Sequence, residues 1–346
     1  MEQPLTAGTG PLPATRRPTM KDVAVAAGVS KALVSLVFRN EPGASEQTRL
    51  RVMEAAAAIG YRHNRTASRL ARTRTRLIGV TMTLRNSFHG ELVEDLQAEA
   101  DEVGYEIALG TMTRTHDERR ALETLLEFRC EAVILLGPEL TDDELGVLAG
   151  QLPVVVIGRQ QLPPGVDAVR TDDADGIGRA VDHLVGLGHR SIVHVDGGTG
   201  PVAEPRRRGY RAAMRRHGLP DRVVPGDYTE DGGTRAAHAL LAAGDLPTAA
   251  VAANDRSAIG ILDAVVRAGV RVPQDFSIVG YDDSALARLG HINLTSVSQV
   301  PDQQARYAVA AAVQRLDGNR TETREVVLPP QLVVRATTGP PRGISR

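Results

Sequence analysis

The pattern of apolar positions changes near residue 76 and divides the chain into two regions. Across 19–62 the apolar residues follow the spacing of three short amphipathic helices. Thr19 is placed to cap the first, with Asp22 in its first turn, and Gly28 ends it. Ser30 caps a second over 31–39, where Val34 and Val37 share one face. Ser45 caps a third that runs to about Ile59 and stops at Gly60. From Leu77 onward the period changes. Short apolar runs ("LIGVTM", "YEIALG", "EAVILLG", "PVVVIG", "SIVHVDG", "AAVAAN", "SIVGYDD") alternate with helical stretches. Strands that read as continuous apolar runs and alternate with helices predict parallel sheets covered on both faces. The units are too many for one small sheet, so the pattern predicts two lobes over 77–338. The division falls near 171–175, and the chain crosses back near 296–300.

Three segments lie outside these patterns: a Pro- and Gly-rich leader at 1–18, a basic linker at 63–76 ("HNRTASRLARTRTR") and a tail at 339–346. The leader lacks the apolar core of a signal peptide, and no apolar run approaches the ~20 residues a bilayer demands. Cys130 is the one cysteine of the chain, which rules out an intramolecular disulfide and suits a reducing compartment. The expected location is therefore cytoplasmic, on the nucleoid.

The formal net charge of −1 hides an asymmetry. Residues 1–76 carry 13 Lys+Arg against 5 Asp+Glu, which leaves 28 against 37 for the remainder. A basic head on an acidic body suits contact with a polyanion, because phosphate neutralisation supplies most non-specific DNA affinity. A solvated basic tail accounts for the charge equally well. The spacing of Ala24, Gly28 and Val34 decides more. A small residue where two helices touch, a glycine for the left-handed turn and a branched residue locking the second helix are what a helix-turn-helix requires.

Several stretches in register, "TMKDVAVAAGVSKALVSLVF", "SEQTRLRV", "IGYRHNR", "ASRLA", "LGHRSIVHV", "RRRGYRAA", "VAANDRSAIG" and "SIVGYDD", together resemble the lactose-repressor (LacI/GalR) family of bacterial transcription regulators. The resemblance spans nearly the whole chain. It implies an all-α helix-turn-helix head and an α/β two-lobed body like periplasmic binding proteins. It also implies a homodimer on a pseudo-palindromic operator, and no cofactor, metal or membrane. By the same resemblance Thr19, Ser30, Lys31, Ala32, Ser35, Leu36 and Arg39 are expected at DNA, the second helix lying in the major groove. The linker would form a hinge helix on operator DNA, with Asn64 as its cap, Arg65 near phosphates, and Ala67 and Leu70 at the minor groove. Leu36 departs from the family, which usually carries arginine there. It offers apolar contact, for instance to a thymine methyl; the other reading buries it in the head.

For the body, ligands of such folds bind outside the carboxyl ends of parallel strands. Phe88, Arg159, Arg206, Tyr228, Asn254, Asp282 and Gln299 fall at or near such ends and are the expected effector contacts. Arg207 and Arg208 read as solvated neighbours of Arg206, and Asp283 as a structural turn residue. Ser87 and His89 make the wall around Phe88 more polar than the family's usual wording, and Gly158 stands where the family commonly has aspartate. With no tryptophan and four phenylalanines, stacking surface is scarce. A sugar and a smaller polar or anionic effector both fit this pattern. The rival class is an NAD(P)-dependent enzyme, because 198–203 formally matches G-x-G-x-x-A with Asp221 further on. Pro201 removes an amide that a pyrophosphate would want, and no paired base and nucleophile accompany the match.

Overall fold

The computed structural model describes residues 18–38, 41–61 and 74–342. The chain forms two compact units, Met1–Thr73 and Arg74–Arg346. Arg39, Asn64, Arg65, Ala67 and Leu70, all expected at DNA, lie outside the described residues.

The head packs three helices, α1 (Met20–Ala27), α2 (Lys31–Phe38) and α3 (Glu46–Ala58), around Val23, Val34 and Val52, with Ala24, Ala27, Val37 and Ala56 beside them. Thr19 donates from both its amide and its hydroxyl to Asp22 Oδ2, each at 2.7 Å, which fixes the start of α1. Gly28 ends α1 in the left-handed region at φ 62°, and the next amide, of Val29, donates back to Ala24 O at 3.0 Å. A side chain at Gly28 would meet no neighbour, so glycine is favoured there by backbone conformation alone.

The body contains two six-stranded sheets. In lobe 1 the order is β11-β5-β4-β3-β1-β2, all parallel: β1 (Leu77–Thr83), β2 (Glu106–Met112), β3 (Ala132–Leu136), β4 (Val154–Ile157), β5 (Val166–Thr171) and β11 (Glu325–Leu328). In lobe 2 the order is β12-β10-β9-β8-β6-β7: β6 (Ile192–Val195), β7 (Val223–Val224), β8 (Ala249–Ala252), β9 (Ser277–Asp282), β10 (Thr295–Ser298) and β12 (Gln331–Val333). Only the β10–β12 pairing of that sheet is antiparallel.

Strand alternation builds a core on each face. In β3, Ala132, Ile134 and Leu136 pack under α4 (Ser87–Glu102) and α12 (Pro301–Leu316), while Val133 and Leu135 meet α5 (Glu118–Glu127) and α6 (Asp142–Ala149). Lobe 2 repeats the plan. The helices α7 (Asp173–Gly186) and α8 (Ala203–Arg216) cover one face; α9 (Glu230–Ala242) and α10 (Asp255–Arg267) cover the other. The single-turn α11 (Ala285–Arg288) follows β9. Among the described residues no helix is long and apolar enough to cross a membrane.

The chain passes between lobes three times: from β5 to α7, from β10 to α12, and from β11 to β12. The third passage is absent from the sequence-based expectation, because "EVVL" and "QLV" are too short to show a period. Helix α6 likewise has no apolar period of its own in the sequence pattern, although Thr141 and Glu144 form a capping box at its start.

Buried Asp167 on β5 ties this return together. It accepts from Arg315 Nε at 3.0 Å, from Arg320 Nη2 at 2.5 Å and from the Arg324 amide at 2.7 Å. Removing one partner of a buried ion pair strands the rest. Asp167→Ala is therefore expected to destabilise the body by about 3 kcal/mol, read as a lowered chemical-denaturation midpoint. An unchanged midpoint would show that solvent satisfies both arginines.

Candidate functional site

Between the carboxyl ends of the two sheets lies a cleft of about 280 Å³. Lobe 1 contributes Phe88 and His89, on the first turn of α4, together with Asn86, whose side chain caps that helix by accepting from the Phe88 amide at 3.1 Å. The Thr83 amide donates to His89 Nδ1 at 3.1 Å, which puts the ring proton on Nε2. Burial pushes the ring down to about 4, so His89 is a neutral imidazole with Nε2–H as its remaining donor.

Lobe 2 supplies the charged side. Arg206, on α8, is 3% exposed. Its Nε donates to Asp173 Oδ1 at 2.8 Å, its Nη1 to Ala253 O at 2.5 Å, and its guanidinium lies 3.7 Å from the Tyr281 ring centroid. Burial opposes its charge, but Asp173, Tyr281, Tyr228 and Asp282 outweigh burial and hold its pKa above the ordinary value. Burial raises Asp173, and Arg206 opposes that rise. A 2.8 Å contact with a cation that does not deprotonate keeps the pair ionised. Asp282, at the end of β9, accepts from Gln299 Nε2 at 2.7 Å. Burial pushes Asp282 well above the carboxylate range, and it does the same to its neighbour Asp255, which accepts from Ser284 and Ser296. Asn254 caps α10, accepting from the Ser257 amide at 2.9 Å, and its Nδ2 donates to Tyr228 O at 3.2 Å.

Phe88, Arg206, Tyr228, Asn254, Asp282 and Gln299 thus line one cleft. Arg159 does not. It turns away within lobe 1, donating to Leu140 O and to Asp142 Oδ1 (2.6 Å), because its long side chain finds a carboxylate there. Arg207 is no solvated neighbour: it pairs with Asp196 at 2.6 Å and bonds Gly198 O at 3.0 Å, bracing the 196–202 loop. Arg208 is exposed, and Asp283 pairs with Arg335 at 2.6 Å. The cleft also holds Thr83, the last residue of β1, and Glu139, Thr229 and Arg256, which no strand-end pattern marks.

The glycine-rich match at 198–203 has a different explanation. An added Cβ would stand 2.2 Å from Tyr228 Cζ at Gly197 and 2.3 Å from Tyr228 Cε2 at Gly200. Gly200 of the match, with Gly197 just before it, thus makes room for the tyrosine ring, while Gly198, the match's first glycine, holds a left-handed turn at φ 67°. Asp221 lies away on the surface with Arg211, at 3.4 Å.

In the head, Lys31 and Ala32 are exposed at the start of α2, and Ser30 Oγ accepts from the Leu33 amide at 3.2 Å. Ser35 is half-buried. Leu36 is half-buried too, against Gly43, where an added Cβ would come within 3.2 Å of Leu36 Cδ1.

Comparison with known proteins decides the family. Residues 19–64 match the model for bacterial regulatory proteins of the lacI family, and residues 181–338 match a periplasmic binding protein-like domain. The HTH-type transcriptional regulator DegA of Bacillus subtilis is 31% identical over 332 residues, covering 93% of this chain and 98% of that protein. The chain belongs to the LacI family. The ribose operon repressor of Escherichia coli is 32% identical over 331 residues, covering 92% of this chain and 99% of its own length. Among solved structures, a LacI transcriptional regulator from a Rhodococcus species shares 47% identity at a TM-score of 0.74, over 76% of this chain and 98% of that one. The lac repressor dimer bound to operator and the anti-inducer ONPF shares 29% at a TM-score of 0.79, over 94% and 100%. This LacI-family chain is a DNA-binding transcription regulator and not an enzyme, and its two-lobed body is an effector domain.

The raised carboxyls set a pH dependence. An acid whose pKa rises on folding adds stability that is complete below its ordinary pKa, near 4, and is lost as pH climbs toward the folded value. Asp282→Asn removes one such group. Relative to the wild type, the variant is expected to gain melting temperature as pH rises from about 5 to about 8. A pH-independent difference would mean that Asp282 is ionised in the folded protein.

Proposed function

We propose that this regulator represses transcription as a homodimer on a pseudo-palindromic operator, and that a neutral polyhydroxy effector of monosaccharide class binds between its lobes. One observation carries the choice of effector: Arg206 is already neutralised by Asp173, and Asp282 adds an acid beside it. The pair leaves no unbalanced cation for a phosphate or carboxylate. Asp282, Asn254, Gln299 and His89 supply the mixed donors and acceptors that ring hydroxyls need, while Phe88 and Tyr228 supply apolar walls. The ribose operon repressor among its relatives, and a regulator CelR–cellobiose complex at 29% identity and a TM-score of 0.69, agree with a sugar.

The head reads DNA through the exposed start of α2. Lys31 offers hydrogen bonds at base edges or phosphates, and Ala32, Ser35 and Leu36 fill the groove. The hinge roles of Asn64, Arg65, Ala67 and Leu70 belong to the same proposal, as does residence on the nucleoid through operator binding. Effector binding shifts the balance between lobe arrangements through its differential affinity for them, and so shifts operator affinity.

The test is a gel shift on the duplex upstream of its own gene, at stated salt, with monosaccharides, sugar phosphates and nucleobases in parallel. The expected outcome is a specific complex whose affinity responds to a neutral sugar. A response confined to sugar phosphates or nucleobases would replace the polyhydroxy reading by an anionic or planar effector.

Deletion of 1–73 provides the control. Arg74 bonds Glu131 and Tyr105, at 3.2 and 2.6 Å, and Thr75 bonds Arg129 O at 2.7 Å, so the body keeps its first strand anchored. The truncated protein should lose specific DNA binding and hold the effector within about twofold of full length. Retained specific binding would place the DNA-reading surface on the body.

A further inference from the structure

The two lips of the cleft are joined by a contact that the binding site itself does not require. Glu91 lies on α4 of lobe 1, two residues past His89 and three past Phe88. Its Oε1 accepts the Ala285 amide at 2.5 Å, and its Oε2 pairs with Arg288, both on α11 of lobe 2. Arg288 also donates to Asp283 O at 2.5 Å. The contact is thus two or three residues from cleft-lining side chains on one lip, and three to six residues from Asp282 on the other.

The lobe 2 half of the contact is stiff. Asp282 and Asp283 both adopt left-handed backbone, at φ 110° and 54°, a conformation non-glycine residues rarely hold without support. That support is visible. The Asp283 amide donates to Ser296 Oγ at 3.0 Å, and the Ser284 amide and hydroxyl donate to Asp255 Oδ2 at 2.7 and 2.8 Å. Any displacement of Asp282 therefore carries α11 with it. On the other side, Glu91 shares a helix with Phe88 and His89, so it moves as they move.

We propose that Glu91 is a positioning residue: its carboxylate latches α4 of lobe 1 to α11 of lobe 2 and sets the separation of the cleft lips before any effector enters. Glu91 and Arg288 are partly open to solvent, at 24% and 48%. A pair of this exposure is weak enough to be broken by effector contacts nearby. The latch does not depend on which effector class the cleft takes.

The test uses the full-length protein without added ligand. Val147 of lobe 1 and Val266 of lobe 2 are exposed, and Cys130 is buried, so Val147→Cys and Val266→Cys accept spin labels in one protomer diluted into unlabelled protein. Distances between the labels are compared for the unaltered latch, Glu91→Gln, Arg288→Gln and the double variant. Each single variant should raise the population of the wider separation by roughly two- to fivefold, and the double variant should add nothing further. Distances that stay unchanged would overturn the proposal even if melting temperature falls, since a merely stabilising pair would do just that. Additive effects in the double variant would overturn it as well, because the two residues would then act separately.

Discussion

The guanidinium of Arg206 gathers four elements at the floor of the cleft. It bonds Asp173 at the start of α7 and Ala253 O just past the end of β8, lies over Tyr281 on β9, and is itself carried by α8. The chain enters lobe 2 at this point, directly after β5. A buried ion pair contributes little net stability compared with well-packed apolar side chains, yet breaking one costs about 3–5 kcal/mol. Its value here is placement. Ala253 and Tyr281, which Arg206 holds, immediately precede Asn254 and Asp282 in the chain, and both of those line the cleft. Gly176 belongs to the same arrangement: an added Cβ there would stand 2.7 Å from Tyr281 Oη, so α7 can approach β9 only without a side chain at that position.

Much of this architecture was legible in the sequence because buried parallel strands must be apolar on both faces, and such runs stand out. The helix-turn-helix was legible for a related reason: Gly28 and its neighbours meet a demand of backbone geometry that few residues satisfy. What sequence could not supply was the direction of long side chains. Arg159 and Arg206 both follow strands at the right end of a sheet. One finds Asp142 within its own lobe and leaves the cleft; the other finds Asp173 beneath it and stays. Arg207 looked like solvated charge but meets Asp196 eleven positions back, at the end of β6. Short strands such as β7, β11 and β12 carry too few residues for a period to show, which hid the third passage between lobes.

The glycine-rich loop shows the same limit from another side. Its spacing suits a dinucleotide, and only the position of Tyr228 reveals that Gly200, with Gly197 just outside the match, serves an aromatic ring. A pattern records that the backbone must be approached closely; it does not record by what.

The cleft concentrates costly backbone and buried polar groups. Asp282 and Val300 both hold left-handed backbone, at φ 110° and 51°, and bracket the bond from Gln299 to Asp282 at the passage from β10 to α12. Each such residue costs on the order of 1 kcal/mol and persists because its surroundings leave it no alternative. The Tyr228 hydroxyl is buried with no hydrogen-bond partner among the described residues. Burial disfavours the charged forms of Asp282 and Asp255. The neutral polyhydroxy effector proposed above would answer these demands together, accepting from Tyr228 and donating to Asp282. The same contacts would compete with Gln299 for Asp282, and Gln299 sits in the connection from β10 of one lobe to α12 of the other. On that proposal, binding and rearrangement draw on the same hydrogen bonds, which is the condition under which a ligand can favour one lobe arrangement over another.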